Sequence, residues 1–259
     1  MLNSAGMQHS GVLRSAYNDD TMLLYYITDR KGFGGTRGEQ RLALLRRIAE
    51  AARAGVDYIQ LREKDLPARQ LEGLAREATR AVRENGCARL LINGRADIAL
   101  ACGADGVHLP SGELPTAEVR ALWRTCNSRS PTSSGTGALG LSDRSPLIGI
   151  SAHSLADLRQ ARAQGAEFAV LAPIFEKVQF SLNGIGVEAL REACSALRAE
   201  EAGSSQFTVL ALGGVNLTNA HACLEAGAAG VAGIRLFQSG DIFQTVRRLR
   251  GCGNPDEYD

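Results

Sequence analysis

The segment from Gln60 to Asp65, QLREKD, carries chemically useful side chains at alternate positions. Gln60, Arg62 and Lys64 follow one another at intervals of two, and in an extended chain such residues share one face. Two cations and an amide on one face suit a phosphate or diphosphate, because cations form charge-assisted hydrogen bonds with phosphate oxygens. The alternative is structural, with both cations paired to Glu63 and Asp65 at the end of a strand. The spacing alone leaves both interpretations open.

A glycine pair in LALGGVN, residues 210–216, is the second candidate for anion binding. Gly213 and Gly214 allow backbone amides to approach a ligand, and a helical pattern follows them. The dipole at the start of a helix favours an anion. The alternative is that both glycines serve only a structural turn.

Two histidines lie at the ends of apolar runs, in GISAHS and GVHL. His153 could exchange protons near physiological pH, since an unperturbed imidazole titrates there. Alternatively, His153 is only the neighbour of Ser154, a predicted helix cap. His108 is open to the same two interpretations, as a functional group or as a packed, hydrogen-bonded core residue.

The elements that position these residues alternate regularly along the chain. Eight short apolar runs, each typical of a strand, alternate with eight helical patterns. Continuous apolar strands separated by helices indicate a parallel sheet that is buried on both faces. Eight such units favour a closed TIM (β/α)8 barrel over an open doubly wound sheet, and the carboxyl ends of barrel strands form the active site. The sequence therefore predicts that the polar residues after each strand converge.

The predicted domain organisation is a single barrel over residues 22–250. Residues 1–21 are polar and aperiodic, which predicts a flexible N-terminal arm, and residues 251–259 are predicted to form a loose tail. Residues 126–146 are rich in Ser, Gly, Thr and Pro, which predicts a disordered insertion. This insertion precedes a strand, so it should lie on the barrel face away from the chemistry.

Composition excludes several classes of function. The chain of 259 residues has 29 basic and 28 acidic residues, so a net charge of +1 gives no general attraction for nucleic acid. The sequence has no signal peptide and no long apolar segment, which predicts a cytoplasmic protein that does not enter a membrane. Its six cysteines lack C-x-x-C spacing, which favours free thiols. The oligomeric state stays open, including a homo-oligomer.

The motifs YYITD, IQLREKD, LLING, GADGVHL, GISAHS, LAPIF and LALGGVN…GVAGI occur in order over residues 22–240. In this respect the chain resembles the thiamine phosphate synthase and thiazole tautomerase family. The resemblance implies a TIM barrel whose partners are small phosphorylated thiamine precursors. In the synthase branch, hydroxymethylpyrimidine diphosphate couples to thiazole phosphate and releases pyrophosphate.

The resemblance also implies roles for individual residues. The pyrimidine diphosphate would contact Gln60, Arg62 and Lys64, with help from Asn93, and a Mg²⁺ ion would bridge the diphosphate. Ser151 would lie beside the reacting centre. The thiazole phosphate would be bound near the last two strands, at Gly213 and Gly214 and at the backbone near Gly233 and Ile234. Arg235, where the family usually has a small residue, could add positive charge to this site.

Three departures from the family pattern affect the metal and the diphosphate. The Asn-Asp pair that follows the third strand in the family is Asn93-Gly94 here, so one magnesium carboxylate is missing. The motif HLGQEDLP is replaced by HLPSGELP, which leaves Glu113 as the candidate metal ligand. The family's Thr-x-Thr-Lys after PIF is replaced by EKVQF, so Lys177 would have to act from a shifted position.

Two other functions remain open at this point. The segments HLPSG and SAHS resemble the tautomerase branch, in which His153 would move a proton on thiazole phosphate carboxylate without a metal. A non-catalytic barrel that binds thiazole phosphate is the third interpretation. Gln60 fits the diphosphate-binding branch better, so we favour the synthase.

Overall fold

The computed structural model describes residues 21–128, 145–175, 183–200 and 207–251. Eight parallel strands pair in sequence order, and the last strand pairs with the first to close a barrel. The predicted TIM barrel is thereby confirmed. The strands are β1 (Leu23–Ile27), β2 (Tyr58–Leu61), β3 (Arg89–Asn93), β4 (Gly106–Leu109), β5 (Leu147–Ala152), β6 (Phe168–Leu171), β7 (Thr208–Leu212) and β8 (Gly230–Gly233).

Helices follow the strands and cover the outside of the barrel. They are α1 (Arg37–Ala54), α2 (Ala68–Asn85), α3 (Ala96–Cys102), α4 (Thr116–Ser128), α5 (Leu155–Ala163), α6 (Gly186–Ala199), α7 (Ala220–Glu225), α8 (Arg235–Gln238) and α9 (Ile242–Gly251). The sequence did not indicate α8, nor a single 3₁₀ turn at Arg30–Gly32 in the glycine-rich loop. Both are too short to show a helical period.

The predicted segment boundaries fall mostly outside the described residues. Helix α4 continues to Ser128, so the first three residues of the predicted insertion are helical. Residues 1–20, 129–144 and 252–259, which make up most of the arm, the insertion and the tail, are not described. Within the described ranges, no helix is long and apolar enough to cross a membrane.

The barrel interior contains a cluster of aromatic side chains from β1, β2 and β6. Tyr58 stacks on Phe168 with ring centroids 5.2 Å apart, and Tyr25 meets Phe168 edge-on at 5.4 Å. Gly149 makes room for this cluster, since a Cβ atom there would lie 2.2 Å from the Phe168 ring. A second, larger apolar layer lies between the strands and the surrounding helices. The packed interior gives the polar residues at the strand ends a rigid base.

Acidic side chains fasten the amino ends of the strands, a region we name the amino-end rim. Asp57, just before β2, accepts a hydrogen bond of 2.7 Å from the backbone N–H of Leu24 in β1. Asp105 before β4 and Glu167 before β6 accept equivalent bonds from β3 and β5, at 2.8 and 2.7 Å. Ala229 occupies the corresponding position before β8. The same hydrogen bond thus recurs before β2, β4 and β6.

Candidate active site

The carboxyl ends of β2 to β5 bring four polar side chains together in two hydrogen-bonded pairs. Gln60 donates from Nε2 to Oδ1 of Asn93 at 3.1 Å. Nε2 of His108 and Oγ of Ser151 lie 3.0 Å apart. Asn93 is also the register partner of His108 in the β3–β4 pair. The four side chains therefore form one continuous polar arc across neighbouring strands.

The carboxylates of the QLREKD segment are held by residues that follow β1. Glu63 is buried and accepts hydrogen bonds from Thr28 Oγ1 at 2.8 Å and from the Arg30 guanidinium at 3.1 Å. Asp65 accepts two bonds of 2.7 Å from Arg30 and lies 3.3 Å from Lys31. Hydrogen bonds from Arg30 lower the pKa of Asp65, whereas burial raises the pKa of Glu63. The structural interpretation of the QLREKD segment, in which Arg62 and Lys64 pair with Glu63 and Asp65, is therefore wrong.

Arg62 and Lys64 are consequently available to an external anion. Across the described ranges, no carboxylate forms an ion pair with either side chain. Arg62 is half-buried and Lys64 is exposed. Arg62 is close enough to His108 to lower the pKa of that imidazole electrostatically. Positive charge thus borders the polar arc, as a phosphate site requires.

Ser151 is connected to the barrel interior through His108. Nδ1 of His108 lies 3.2 Å from the hydroxyl of Tyr25, on the opposite side of the ring from Ser151. Burial, with a smaller contribution from Arg62, lowers the pKa of His108 to about 3, so the imidazole is neutral at physiological pH. His108 is therefore the packed, hydrogen-bonded residue of the two sequence interpretations.

His153 lies at the same end of the barrel but on its exposed edge. Its Nδ1 lies 2.7 Å from the carbonyl oxygen of Ala172, which can only accept, so Nδ1 carries the proton. In the neutral ring, Nε2 then has a free lone pair. Ser154 caps α5 by accepting from the backbone of Asp157, as its position predicted. Both interpretations of His153, functional group and cap neighbour, agree with this geometry.

The glycine pair after β7 differs from expectation in one respect. Helix α7 begins at Ala220, so Gly213 and Gly214 precede a turn and do not open a helix. Gly213 also has a packing role, because a Cβ atom there would lie 2.8 Å from Cα of Pro173. Both glycines have positive φ angles, 99° and 67°. The sequence did not indicate the turn between β7 and α7, because Leu217 fits a helical pattern that continues into α7.

The residues after β8 enter the short helix α8. Gly233 and Ile234 immediately precede it, and Arg235 is its exposed first residue. Gln238 fixes α8 against the end of β1 by bonding to the backbone of Asp29 at 2.7 Å and to the hydroxyl of Tyr26 at 3.1 Å. In many barrels a short extra helix near strands seven and eight binds phosphate. The predicted roles of these residues are compatible with that position.

The candidate metal ligand Glu113 faces the position of the missing carboxylate. A Cβ atom added at Gly94 would lie 3.6 Å from Oε2 of Glu113. Glu113 also lines a cavity of about 250 Å³ between residues 109–115 and α5, which Gln60, Arg62 and Ser151 do not line. No cluster of three His, Cys, Asp or Glu side chains suited to a metal occurs in the described part of the chain. The residues fit Mg²⁺ only as a site with one carboxylate, completed by ligand oxygens.

Lys177, the remaining predicted site residue, lies outside the described residues. The contacts that the sequence missed are those of Thr28, Arg30 and Tyr25. Their signal was weak, because Arg30 looked like part of a polar loop and Tyr25 like one of several apolar strand residues.

The fold and the arc of polar residues define a (β/α)8 barrel with a cationic, anion-attracting rim at the carboxyl ends of its strands. The family model described as thiamine monophosphate synthase matches residues 24–126 and 140–237. A thiamine-phosphate synthase from Methanoculleus marisnigri is 34% identical over 230 residues, which are 88% of this chain and 93% of that protein. One from Moorella thermoacetica has the same identity and coverage. The chain therefore belongs to the thiamine monophosphate synthase family.

A solved structure supports the same assignment. Thiamine phosphate pyrophosphorylase from Pyrococcus furiosus superposes with a TM-score of 0.66 at 25% sequence identity. The match covers 91% of this chain and 96% of that one. The whole barrel, rather than one motif, is thus shared with this relative.

Proposed function

We propose that the chain couples hydroxymethylpyrimidine diphosphate to thiazole phosphate, giving thiamine phosphate and pyrophosphate. The observation that carries the proposal is the separation of charges in QLREKD. Arg30 holds Glu63 and Asp65, while Arg62 and Lys64 stay available beside the Gln60–Asn93 pair. Family membership and the printed names of the relatives give the class of reaction.

In this reaction the bond between the pyrimidine methylene carbon and the diphosphate oxygen breaks, and the electron pair leaves with the diphosphate. The thiazole nitrogen then gives its lone pair to form the new carbon–nitrogen bond. Arg62 and Lys64 stabilise the negative charge that grows on the leaving group, because fixed cations aimed at developing charge lower the barrier. Gln60 and Asn93 orient the pyrimidine diphosphate, and Ser151 contacts the pyrimidine.

The second substrate would be bound on the opposite side of the barrel mouth. Gly214, Gly233 and Ile234 present backbone groups there, and Arg235 adds positive charge to the same site. Gly213 shapes the turn through its contact with Pro173. Lys177 would supply a further cation to the diphosphate. Holding the two substrates on facing sides aligns the thiazole nitrogen with the reacting carbon.

Magnesium would be held by Glu113 together with diphosphate oxygens. When bound, Mg²⁺ neutralises charge on the leaving group. The absence of a carboxylate at Gly94 predicts metal affinity roughly tenfold weaker than the Asn-Asp pair of the family pattern would give. The roles of Arg62 and Lys64 do not depend on this ion.

The test is incubation of the purified protein with both precursors, with and without Mg²⁺, followed by mass detection of thiamine phosphate. We expect product that depends on both precursors and increases with Mg²⁺. Binding of the precursors without product in any condition would refute the coupling function and favour a binding-only barrel.

A second candidate, thiazole tautomerisation, is favoured by one observation. His153 bonds to Ala172 through Nδ1, which leaves Nε2 free to accept a proton from a ligand. Thiazole phosphate carboxylate incubated alone, without metal, distinguishes this activity. Isomerisation that His153→Ala abolishes, together with no coupling in the wild type, would replace the synthase assignment.

A further inference from the structure

Tyr25, His108 and Ser151 form a hydrogen-bonded chain that runs from the barrel interior to its mouth. The Tyr25 hydroxyl lies 3.2 Å from His108 Nδ1, and His108 Nε2 lies 3.0 Å from Ser151 Oγ. Tyr25 is fully buried, and His108 is 4% exposed. Within the described residues, the Tyr25 hydroxyl has no other hydrogen-bond partner. The neutral imidazole of His108 can therefore carry its proton either on Nδ1, facing Tyr25, or on Nε2, facing Ser151.

The buried phenol decides between these arrangements. The neutral imidazole of His108 carries one proton, because burial and Arg62 lower its pKa to about 3. If that proton were on Nδ1, it would be donated to Tyr25, and the phenol's own proton would have no acceptor in the described surroundings. A buried donor without an acceptor is strongly disfavoured. The phenol therefore donates to Nδ1, and the proton of His108 is on Nε2.

This arrangement determines what the serine hydroxyl can do. Nε2–H of His108 donates to Oγ of Ser151, so the serine cannot give its own proton to His108. Ser151 is half-buried at the end of β5, so its proton is directed to the barrel mouth. A bound ligand then meets a hydrogen-bond donor at this point, and an acceptor atom is required opposite it.

We propose that Tyr25 and His108 are positioning residues that fix Ser151 as a hydrogen-bond donor to an acceptor atom of the substrate. In the reaction proposed above, that acceptor is a ring nitrogen of the aminopyrimidine. The identity of the acceptor rests on the proposed function, whereas the proton arrangement does not. Specificity follows, because a substrate that offers only a donor at this point would leave two donors facing each other.

The proton arrangement can be measured without any activity. The chain has four histidines, so ¹⁵N-histidine labelling and long-range ¹H–¹⁵N spectra resolve each ring, and His108→Gln assigns the signal of interest. We expect His108 as the Nε2–H form at about pH 8, where exposed histidines are neutral. His153, which bonds a carbonyl through Nδ1, is the internal contrast and should be the Nδ1–H form. A wild-type His108 protonated on Nδ1 would overturn the inference.

The kinetic test uses Tyr25→Phe, which removes the phenolic donor and leaves the ring. Without the phenol, Nδ1 of His108 has no partner, and neither the orientation nor the tautomer of the ring is fixed. Ser151 is then no longer held as a donor to the substrate. We expect kcat/KM for the pyrimidine diphosphate to fall about tenfold, which is the usual effect of one such hydrogen bond. In a Ser151→Ala background, Tyr25→Phe should have no further effect, since both changes remove the same donor. Additive losses would refute the positioning role.

Thr79→Val is the control for loss of a buried hydroxyl. Thr79 lies in α2, which carries no site residue, is 4% exposed, and donates to the carbonyl oxygen of Ala75 at 2.8 Å. Thr79→Val should lower thermal stability about as much as Tyr25→Phe and leave kcat/KM unchanged. His108→Gln, whose amide can still donate to Ser151, should keep more activity than His108→Leu. Equal activity loss in Thr79→Val and Tyr25→Phe would show a merely structural role.

The two measurements separate this inference from the proposed function. A wild-type protein that lacks coupling activity but has His108 as the Nε2–H form would refute the function and support the proton arrangement. A coupling-competent wild type with His108 as the Nδ1–H form would refute the positioning role alone.

Discussion

The two ends of the barrel use the same residue types in opposite ways. At the amino-end rim, Asp57 accepts from the backbone of Leu24 and forms an ion pair with Arg250 at 2.9 Å. Glu167 is engaged in the same manner by Ile148 and by Arg120, at 2.7 Å each. At the carboxyl end, which we name the carboxyl-end rim, Arg62 and Lys64 have no carboxylate partner among the described residues.

This difference shows how Arg62 and Lys64 stay unpaired among the described residues. Four consecutive charges, Arg62 to Asp65, would neutralise one another if they were left alone. Arg30, in the loop after β1, binds the carboxylates of Glu63 and Asp65, so they do not pair with Arg62 and Lys64. We therefore expect ion pairing at the amino-end rim to contribute to stability alone. Ion pairing by Arg30 should contribute both to stability and, because it leaves Arg62 and Lys64 unpaired, to ligand binding. The variants below test this division of roles, starting with the largest expected effect.

Arg30→Ala should cause the largest loss, because it leaves Glu63 buried without its cation. We expect the free energy of unfolding to fall by about 3–5 kcal/mol, as for other broken buried pairs. Chemical denaturation measures this change. The control is Arg159→Ala, which removes an exposed pair with Glu200 at 2.6 Å and should cost about 1 kcal/mol or less. Equal effects of the two variants would show that the Arg30–Glu63 pair does not behave as a buried ion pair.

Arg62→Ala and Lys64→Ala should instead weaken ligand binding and leave the free energy of unfolding nearly unchanged. Each lost charge-assisted contact should weaken pyrophosphate binding by about 2–3 kcal/mol. Isothermal titration calorimetry with pyrophosphate, with unfolding measured in parallel, tests both parts. Arg95→Ala is a control at the same end of the barrel, because Arg95 pairs with Asp97 at 2.7 Å. Unchanged pyrophosphate affinity in both test variants would show that neither cation belongs to the site.

The sequence predicted the secondary structure of the barrel but not the contacts between residues that are distant along the chain. Eight apolar runs that alternate with eight helical patterns predicted the barrel, because strand and helix periods are local signals. The alternation of Gln60, Arg62 and Lys64 predicts a shared face, but β2 ends at Leu61 and Lys64 lies in a turn. Arg30 lies more than thirty residues from the carboxylates that it binds, as does Gln60 from Asn93 at 3.1 Å. Such pairs depend on which strands are neighbours, and spacing along the chain does not show this.

Asp57→Ala tests the amino-end rim with an intermediate effect. It removes the acceptor of the Leu24 N–H and the partner of Arg250, so the free energy of unfolding should fall by about 1–3 kcal/mol. Because this rim is at the far end of the barrel, kcat/KM for coupling should stay within about twofold of the wild type at a temperature where both are folded. A selective loss of activity at unchanged stability would show that the two rims do not divide their roles as described.

The smallest effect concerns Gly94, where the carboxyl-end rim lacks a carboxylate that the family pattern provides. Gly94 has φ +65°, a conformation that Asp tolerates better than most residues, and an added Cβ atom would meet Glu113 Oε2 at an ordinary 3.6 Å. In Gly94→Asp, two carboxylates would face each other, which repels without a cation and favours a cation between them. We expect Gly94→Asp to melt below the wild type in chelator and to gain more thermal stability from Mg²⁺ with pyrophosphate. Its Mg²⁺ affinity should increase about tenfold.

Gly94→Asn, which has the same backbone tolerance and no charge, should show neither change. If Gly94→Asp and Gly94→Asn respond alike to Mg²⁺, then Glu113 is not positioned to hold the metal, and the coupling reaction would have to rely on Arg62 and Lys64 alone.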